Sequence, residues 1–258
     1  MMQLFTLNSK HFLIIIVLSI SLNGLAQNSR LSEKNAIGWY AITSTFNVKK
    51  NFSLYAELQI RRDNIITDLQ QNLMRVGVNY KLNPKLTLRV GYANIETFNY
   101  GTYSINPFGK NFAEHRAYQM LTLNDKSGKV DFIHRFMLEQ RWTGRYSNAS
   151  LEKEDNFTFT NRFRYMFRLQ MPLKGNSINI KTPYAAIYDE IFVSFGKNVN
   201  ENVFDQNRLG IVIGYKFSPS FKIEAGFLNQ TVQLSREINN QNVFQYNSGI
   251  VINTAFDF

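Results

Sequence analysis

Arginine and glutamate residues recur at every second position in several segments of this chain. In one segment Arg162, Arg164 and Arg168 alternate with large apolar residues. Guanidinium groups bind carboxylates and other oxyanions through paired hydrogen bonds, so residues of these types can form ion pairs or bind anions. We refer to the residues with this spacing as the alternating charged residues: Glu57, Arg75, Arg135, Glu139, Arg141, Arg162, Arg164, Arg168, Glu190 and Arg208.

Two interpretations of the alternating charged residues follow from their chemistry. In a narrow closed sheet they would form a cross-strand ladder of ion pairs that fills the interior, together with neighbouring carboxylates. Alternatively, the arginines would form an electropositive constriction that selects anions, as rings of arginine do in anion pores. We favour the filled interior, and keep open both the anion path and a ligand site of another kind.

Catalytic and metal sites are poorly supported by the sequence. A membrane lipase needs a histidine that is oriented by a polar partner beside a nucleophilic serine. His115 and His134 are the only histidines after residue 26, and the sequence places no serine beside either of them. With two histidines, no cysteine and no His-x-x-x-His spacing, we expect no metal, no cofactor and no enzymatic activity.

Charge does not indicate nucleic-acid binding, although the chain carries a net charge of +10. Basic nucleic-acid sites cluster lysine and arginine on one patch or stripe. Here the arginines stand singly on alternating segments of a chain that we expect to be exported, so we expect no nucleic-acid partner.

Strands are the elements that must position these residues. Alternation with a period of two residues predicts a β-strand with one apolar and one polar face. Each alternating segment is close to the ten or so residues that a tilted membrane strand needs. The segments are 37–48, 52–62, 72–82, 86–97, 114–124, 130–143, 157–171, 178–195, 204–217, 221–234 and 244–258.

The facing of these strands follows from the cost of a charge in hydrocarbon. In segment 157–171, Phe163 and Phe167 point one way and the arginines point the other. An arginine that faces lipid at mid-depth costs about 2–4 kcal/mol, so the arginines must face the lumen of a barrel. The facing of segments 114–124 and 178–195 stays open, because in the latter Asp189 and Glu190 fall on opposite faces.

The two ends of the chain predict its location. Residues 1–26 read as a signal peptide, with an apolar run at 12–20 and small residues before a cleavage site at Gln27. The absence of cysteine excludes a lipoprotein anchor and a disulfide. In a Gram-negative cell, an exported chain of alternating strands that ends in Phe258 is typical of an outer-membrane β-barrel. We expect the barrel-assembly machinery to bind this last strand.

The connections predict two unlike rims. Short turns at 49–51, 83–85, 125–129 and 218–220 would face the periplasm, and longer loops at 63–71, 98–113, 144–156, 196–203 and 235–243 would be extracellular. Single-chain bacterial barrels normally have an even number of strands, whereas eleven segments are counted. We therefore expect twelve strands, with ten as the alternative. Residues 27–36 would supply a weak first strand or a lead-in that threads the lumen, unless one segment is not a strand.

Several strand motifs resemble those of the DUF2490 family. They are Trp39-Tyr40, Glu114-His115-Arg116, the run from His134 to Arg141, the segment Asn161 to Arg164, and Asp205 to Gly210 followed by Gly214-Tyr215. The resemblance covers residues 35–258 and implies an exported, barrel-like outer-membrane protein, of a kind common in Bacteroidota and of unknown function. It supplies no catalytic residue.

Together these observations predict an all-β chain in three parts: a signal peptide at 1–26, a lead-in at 27–36 and a single antiparallel transmembrane barrel at 37–258. The expected role is a non-enzymatic one in the outer membrane, either structural or as a narrow solute pore. Its partners would be membrane lipid and small anionic solutes. The alternatives are a membrane-embedded lipid-modifying enzyme and a soluble lipocalin-like periplasmic carrier with an apolar interior.

Overall fold

The computed structural model describes residues 30–199 and 202–258, so the expected signal peptide and residues 27–29 lie outside the described residues. The described chain from Leu31 to Phe258 is a closed β-barrel. No helix in this part of the chain is long and apolar enough to cross a membrane. The eleven strands of the described residues are β1 Leu31–Lys49, β2 Phe52–Asp63, β3 Asp68–Lys81, β4 Leu86–Thr97, β5 Phe112–Ser127, β6 Val130–Arg145, β7 Asn156–Pro172, β8 Thr182–Phe195, β9 Phe204–Ser218, β10 Phe221–Ile238 and β11 Gln241–Asp257.

The barrel closes through a parallel pair of strands. Every strand pairs antiparallel with the next one along the chain, but β1 pairs parallel with β11 over fifteen residue pairs, from Leu31↔Val243 to Thr45↔Asp257. The expectation of twelve strands, or of ten, is therefore wrong for the described residues. Each of the eleven alternating segments contributes one strand. In an antiparallel series of odd number the first and last strands run the same way, so parallel pairing closes the sheet without another strand.

The start of β1 corrects the expected lead-in. Residues 31–36 continue the same strand and pair with residues 243–248 of β11. Exposed and half-buried side chains alternate in this stretch, but most of them are polar, with Ser32, Glu33 and Lys34 in sequence. A search for alternating apolar residues therefore did not identify it as a strand.

Side chains alternate between a buried inner face and an exposed outer face. On β2 the Glu57 side chain is 9% exposed, whereas its neighbour Leu58 is 58% exposed. On β7, Arg162 is 1% exposed and Phe163 is 40% exposed. Large apolar side chains thus cover the outside and charged ones the inside, the reverse of a soluble protein, and the expected facing of segment 157–171 is observed.

Aromatic rings form a partial band on the outer surface near one end of the barrel. Phe46 at the end of β1 stacks on Phe258, with ring centroids 5.1 Å apart, and Phe258 also stacks on Phe256. Phe221 continues the contacts, stacking on Phe256 at 5.0 Å and lying 5.3 Å from the ring of Phe217. Paired rings at this level bury apolar surface between neighbouring strands.

Connections at the two ends of the barrel differ, though less than the sequence predicts. One end, the long-loop rim, carries loops 98–111 and 146–155 and the connection from β8 to β9, of which residues 196–199 and 202–203 are described. The other end, the short-turn rim, carries short turns and one longer connection, 173–181. The expected long loops at 63–71 and 235–243 are wrong: the strands continue to turns at 64–67 and 239–240. Asn239 and Asn240 have φ of 53° and 58°, as a tight two-residue hairpin requires.

Candidate functional site in the lumen

All ten alternating charged residues lie on the inner face of the barrel wall. Cross-strand register decides which of them meet. Glu139 lies directly opposite Arg162, and Glu57 lies directly opposite Arg75. These two pairs form the ion pairs that a cross-strand ladder would have, because facing side chains on the same side of a sheet are within reach of each other.

Glu139 on β6 is the centre of the largest ion-pair network. Its carboxylate accepts hydrogen bonds from Arg162 Nε at 2.7 Å and from Arg164 Nη1 at 2.8 Å. Arg116 on β5 approaches the same carboxylate at 3.7 Å. Glu139 is 1% exposed, so three guanidinium groups surround a carboxylate that has almost no contact with solvent.

The network continues in both directions from β7. Arg164 also binds Glu190 on β8 at 2.8 Å, and Glu190 binds Arg135 at 2.9 Å. Arg162 reaches past β8 to Asp205 on β9. Hydrogen bonds between ionised partners are stronger than neutral ones, and removing one partner leaves a buried charge uncompensated.

Glu114 on β5 completes the network. It accepts hydrogen bonds from Arg116 at 2.7 Å and from Arg141 at 2.5 Å, and Arg141 also lies 3.7 Å from Asp205. Two separate pairs lie toward the short-turn rim: Arg75 with Glu57 at 2.6 Å and Arg168 with Glu224 at 2.5 Å.

Arg208 differs from the other alternating charged residues. It lies opposite Glu190 in the register of β8 and β9, yet the two form no ion pair. The Glu190 carboxylate is already bound by Arg135 and Arg164. The Arg208 guanidinium lies instead over the rings of Trp39, at 4.7 Å, and Phe192, at 4.5 Å.

Two cavities lie along the lumen. A cavity of about 130 Å³ is bordered by residues of the long-loop rim, including Tyr100 and Asn198. A second cavity, of about 400 Å³, extends toward the short-turn rim. Trp39, Arg61 and Arg208 line both cavities and therefore form the partition between them.

Positive charge exceeds negative charge around these cavities. Eleven arginines line them in the described part of the chain, against four carboxylates; two more carboxylates, Glu139 and Glu224, bind arginines of the same set. Seven of the eleven arginines have a carboxylate within ion-pair distance. The four lining arginines that have none in the described chain are Arg61, Arg89, Arg145 and Arg208.

The connection between β4 and β5, residues 98–111, covers part of the barrel mouth, and we call it the mouth loop. Glu33 on β1 accepts hydrogen bonds from the backbone N–H groups of Thr102, at 2.5 Å, and Tyr103, at 3.1 Å. Gly101 has a φ of 70°, and a Cβ there would lie 2.7 Å from Glu33 Oε1. Only glycine combines this backbone conformation with so close an approach.

Strands β10 and β11 hold the same loop from across the barrel. The hydroxyl of Tyr100, which is 8% exposed, donates to Gln245 Oε1 at 2.8 Å. Arg236 donates from Nε to the backbone oxygen of Ser104 at 2.9 Å. Because the loop leaves the wall at β4 and β5 and is bound at β1, β10 and β11, it spans the mouth.

Both described histidines lie on the outer face and have aromatic partners. His134 Nδ1 lies 2.9 Å from the hydroxyl of Tyr165, and His115 Nδ1 lies 2.5 Å from that of Tyr92. Among the hydrogen bonds of the described residues, neither ring contacts a serine or a carboxylate. Residues 30–199 and 202–258 also hold no group of three side chains placed to bind a metal ion.

Sequence reasoning missed several members of the network. Glu114 and Arg116 alternate in β5, and Glu224 alternates with Ile223 and Ala225 in β10, so the pattern that found the other residues was present there. Asp205 had no such signal. A register shift at Phe192/Val193 turns both Asp205 and its neighbour Gln206 inward.

The chain resembles several known proteins. An uncharacterized protein of Methylorubrum extorquens is 26% identical over 195 residues, which cover 74% of this chain and 76% of the relative. A structure of the NanC porin covers 86% of this chain and 98% of its own, with 15% identity and a TM-score of 0.46. The family model described as a protein of unknown function, DUF2490, matches residues 37–242. The chain therefore belongs to the DUF2490 family.

Proposed function

We propose that this protein is a non-enzymatic outer-membrane β-barrel whose lumen is a narrow path for small anions, closed in the state described here. The observation that carries the proposal is the distribution of side chains: apolar and aromatic residues face outward, and a surplus of arginines faces inward. An outer apolar surface with aromatic rings toward one end suits a lipid bilayer, and a basic lumen favours anions.

The same distribution argues against a soluble lipocalin-like carrier. Such a carrier places its apolar face inward to hold an apolar ligand. Here Arg162 and Arg164 are 1% and 4% exposed inside the barrel, while Leu58 and Ile213 are 58% and 63% exposed outside. The lipid-modifying enzyme has no support from the surroundings of His115 and His134.

Two features close the path. The mouth loop spans the long-loop rim, and Trp39 lies with Arg61 and Arg208 between the two cavities. A second candidate function is a structural barrel whose lumen never opens. The buried network around Glu139 favours it, because separating the partners of a buried ion pair leaves uncompensated charges, which stabilises one closed arrangement.

Planar-bilayer recordings distinguish the two candidates. We expect wild-type protein to show little steady conductance. A Trp39→Ala variant with residues 100–108 replaced by a short glycine–serine turn should conduct, with a reversal potential in a potassium chloride gradient that indicates anion preference. Cation preference in that variant would refute the anion path. A folded variant that remains silent would favour the structural barrel.

The membrane location is tested separately. The mature chain should fractionate with the outer membrane and migrate faster on unheated than on heated denaturing gels, since a closed barrel resists detergent until its sheet melts. Recovery in the soluble periplasm would overturn the location. Binding of the last strand, with Phe258 at its end, by the assembly machinery also belongs to this proposal, and removal of Phe258 should lower the folded fraction.

A further inference from the structure

The partition of the lumen holds two arginines against a single ring. The Cζ of Arg61 on β2 lies 3.9 Å from the centroid of Trp39, and the Cζ of Arg208 on β9 lies 4.7 Å from it. Arg61 is 7% exposed and Arg208 is 9% exposed. Two like charges are therefore buried beside one indole.

Neither arginine has a carboxylate partner among the described residues. Arg61 donates to the amide oxygens of Gln59, at 2.7 and 2.9 Å, and Gln71, at 2.6 Å. Arg208 donates from Nε to Gln206 Oε1 at 3.0 Å. Amide oxygens satisfy hydrogen bonds but carry no net charge, so neither guanidinium group is neutralised by an ion pair.

Arg208 also has free donor groups. Its Nη1 and Nη2 have no hydrogen-bond partner in the described chain. Neither atom is fully buried, so both keep accessible surface in the lumen. The side chain lines both cavities. The opposite carboxylate, Glu190, is bound by Arg135 and Arg164 and does not turn toward Arg208.

We propose that Arg61 and Arg208 form a binding site for a small oxyanion, a carboxylate or a phosphate, at the junction of the two lumen cavities. Planar guanidinium groups match the paired oxygens of these anions, whereas a halide cannot accept two parallel hydrogen bonds in the same way. An oxyanion there would also offset the repulsion between two buried like charges. In the closed state it would enter from the 400 Å³ cavity toward the short-turn rim. The inference deepens the proposed function by naming the ligand class of the same lumen.

Trp39 is the reporter for the experiment. The chain has two tryptophans, and Trp142 packs on Phe159 at the outer face, so a Trp142→Phe protein leaves Trp39 as the sole tryptophan. Folded protein in detergent micelles is titrated with potassium phosphate, potassium acetate or potassium chloride at matched ionic strength. We expect a saturable change in Trp39 emission with phosphate, acetate or both, and no saturable change with chloride.

Charge-removal variants locate the site. Arg208→Gln should weaken oxyanion binding about tenfold or more, corresponding to ~1.4 kcal/mol or more, since it removes charged donors from the site. The matched control is Arg168→Gln, which removes the same charge from the same cavity but from a side chain that binds Glu224. Binding in the control should stay within about threefold of the parent, corresponding to less than ~1 kcal/mol. Where Arg208→Gln does not fold, as judged by heat-modifiable migration, Arg61→Gln carries the same test.

The outcomes separate this inference from the proposed path. Equal responses to phosphate and chloride, no saturation with either oxyanion, or equal losses in Arg208→Gln and Arg168→Gln would each overturn the oxyanion site. Binding that depends on Arg208, in a protein whose opened variants never conduct, would keep the site and refute the path. Conductance in the opened variant, without oxyanion binding that depends on Arg208, would keep the path and refute the site.

Discussion

The ring of Tyr188 on β8 lies directly over Gly210 on β9. A Cβ built on Gly210 would lie 2.2 Å from Tyr188 Cζ, which is closer than real atoms approach. The two residues are cross-strand partners on the inner face. Because Gly210 has no side chain, the inward-facing Tyr188 ring can lie flat against the barrel wall. There it packs against the apolar cluster that includes Trp39, Val212 and Leu228.

The first prediction is that Gly210→Ala lowers the free energy of unfolding by about 1–3 kcal/mol, because the methyl group forces the Tyr188 ring away from the wall. Urea unfolding in lipid vesicles, followed by tryptophan emission, measures the change. In a Tyr188→Ala protein, Gly210→Ala should lower the free energy of unfolding by less than it does in the wild type, since the ring that clashes with the methyl group is absent. If Gly210→Ala matches wild type, the close approach of ring and glycine is not needed.

The sequence identified the wall of the barrel better than its ends. All eleven strands were indicated by alternation, because each must present an apolar face outward over its central residues. Beyond the apolar band that requirement ends. The polar ends of β10 and β11 at 235–243 therefore read as a loop, although these strands pair up to Ile238 and Gln241. The closure was missed because parallel pairing of β1 with β11 depends on strand number and not on any residue pattern.

The site was only partly predictable for a related reason. Alternation places Arg162 and Glu139 on the inner face, and register then makes them partners. Contacts across the lumen are not encoded in one strand. Trp39 on β1 and Arg208 on β9 are three places apart around the ring, and only the curvature of the closed sheet brings them together.

The second prediction concerns the outer face. Phe163 lies between Leu138 and Val193 on the outer surface. In the proposed outer-membrane location, Phe163→Arg would place a charge against hydrocarbon at a cost of about 2–4 kcal/mol. The heat-modifiable, folded fraction in outer membranes should fall. Phe163→Leu is the matched control and should assemble normally, and Thr160→Arg, on the inner face of the same strand, should fall less. Similar assembly of the Phe163→Arg and Phe163→Leu proteins would mean that this face does not contact lipid.

The third prediction tests the network around Glu139. Glu139→Gln keeps the shape but removes the charge that Arg162 and Arg164 share, so we expect a loss of up to about 3–5 kcal/mol in the free energy of unfolding. Asp131→Asn is the matched control on the same strand. Its carboxylate forms a weak, partly exposed ion pair with Lys126, at 3.7 Å. Loss of such a pair should lower the free energy of unfolding by ~1 kcal/mol or less. Equal losses in the two variants would show that the buried network is not a particular source of stability.

The last prediction concerns the mouth loop. Glu33→Ala removes the carboxylate that accepts hydrogen bonds from the backbone N–H groups of Thr102 and Tyr103. The same carboxylate accepts a hydrogen bond from the Gln245 side chain at 2.6 Å, which is lost as well. Hydrogen bonds to a charged acceptor contribute ~1.5–3 kcal/mol, so amide hydrogen exchange in residues 98–111 should become about tenfold to a hundredfold faster. Mass spectrometry of peptides from this loop measures the rate. Ser32→Ala, one residue away on the opposite face of β1, should leave it unchanged. Unaltered exchange in Glu33→Ala would mean that Tyr100 and Arg236 suffice to hold the loop, and that Glu33 does not control the mouth of the barrel.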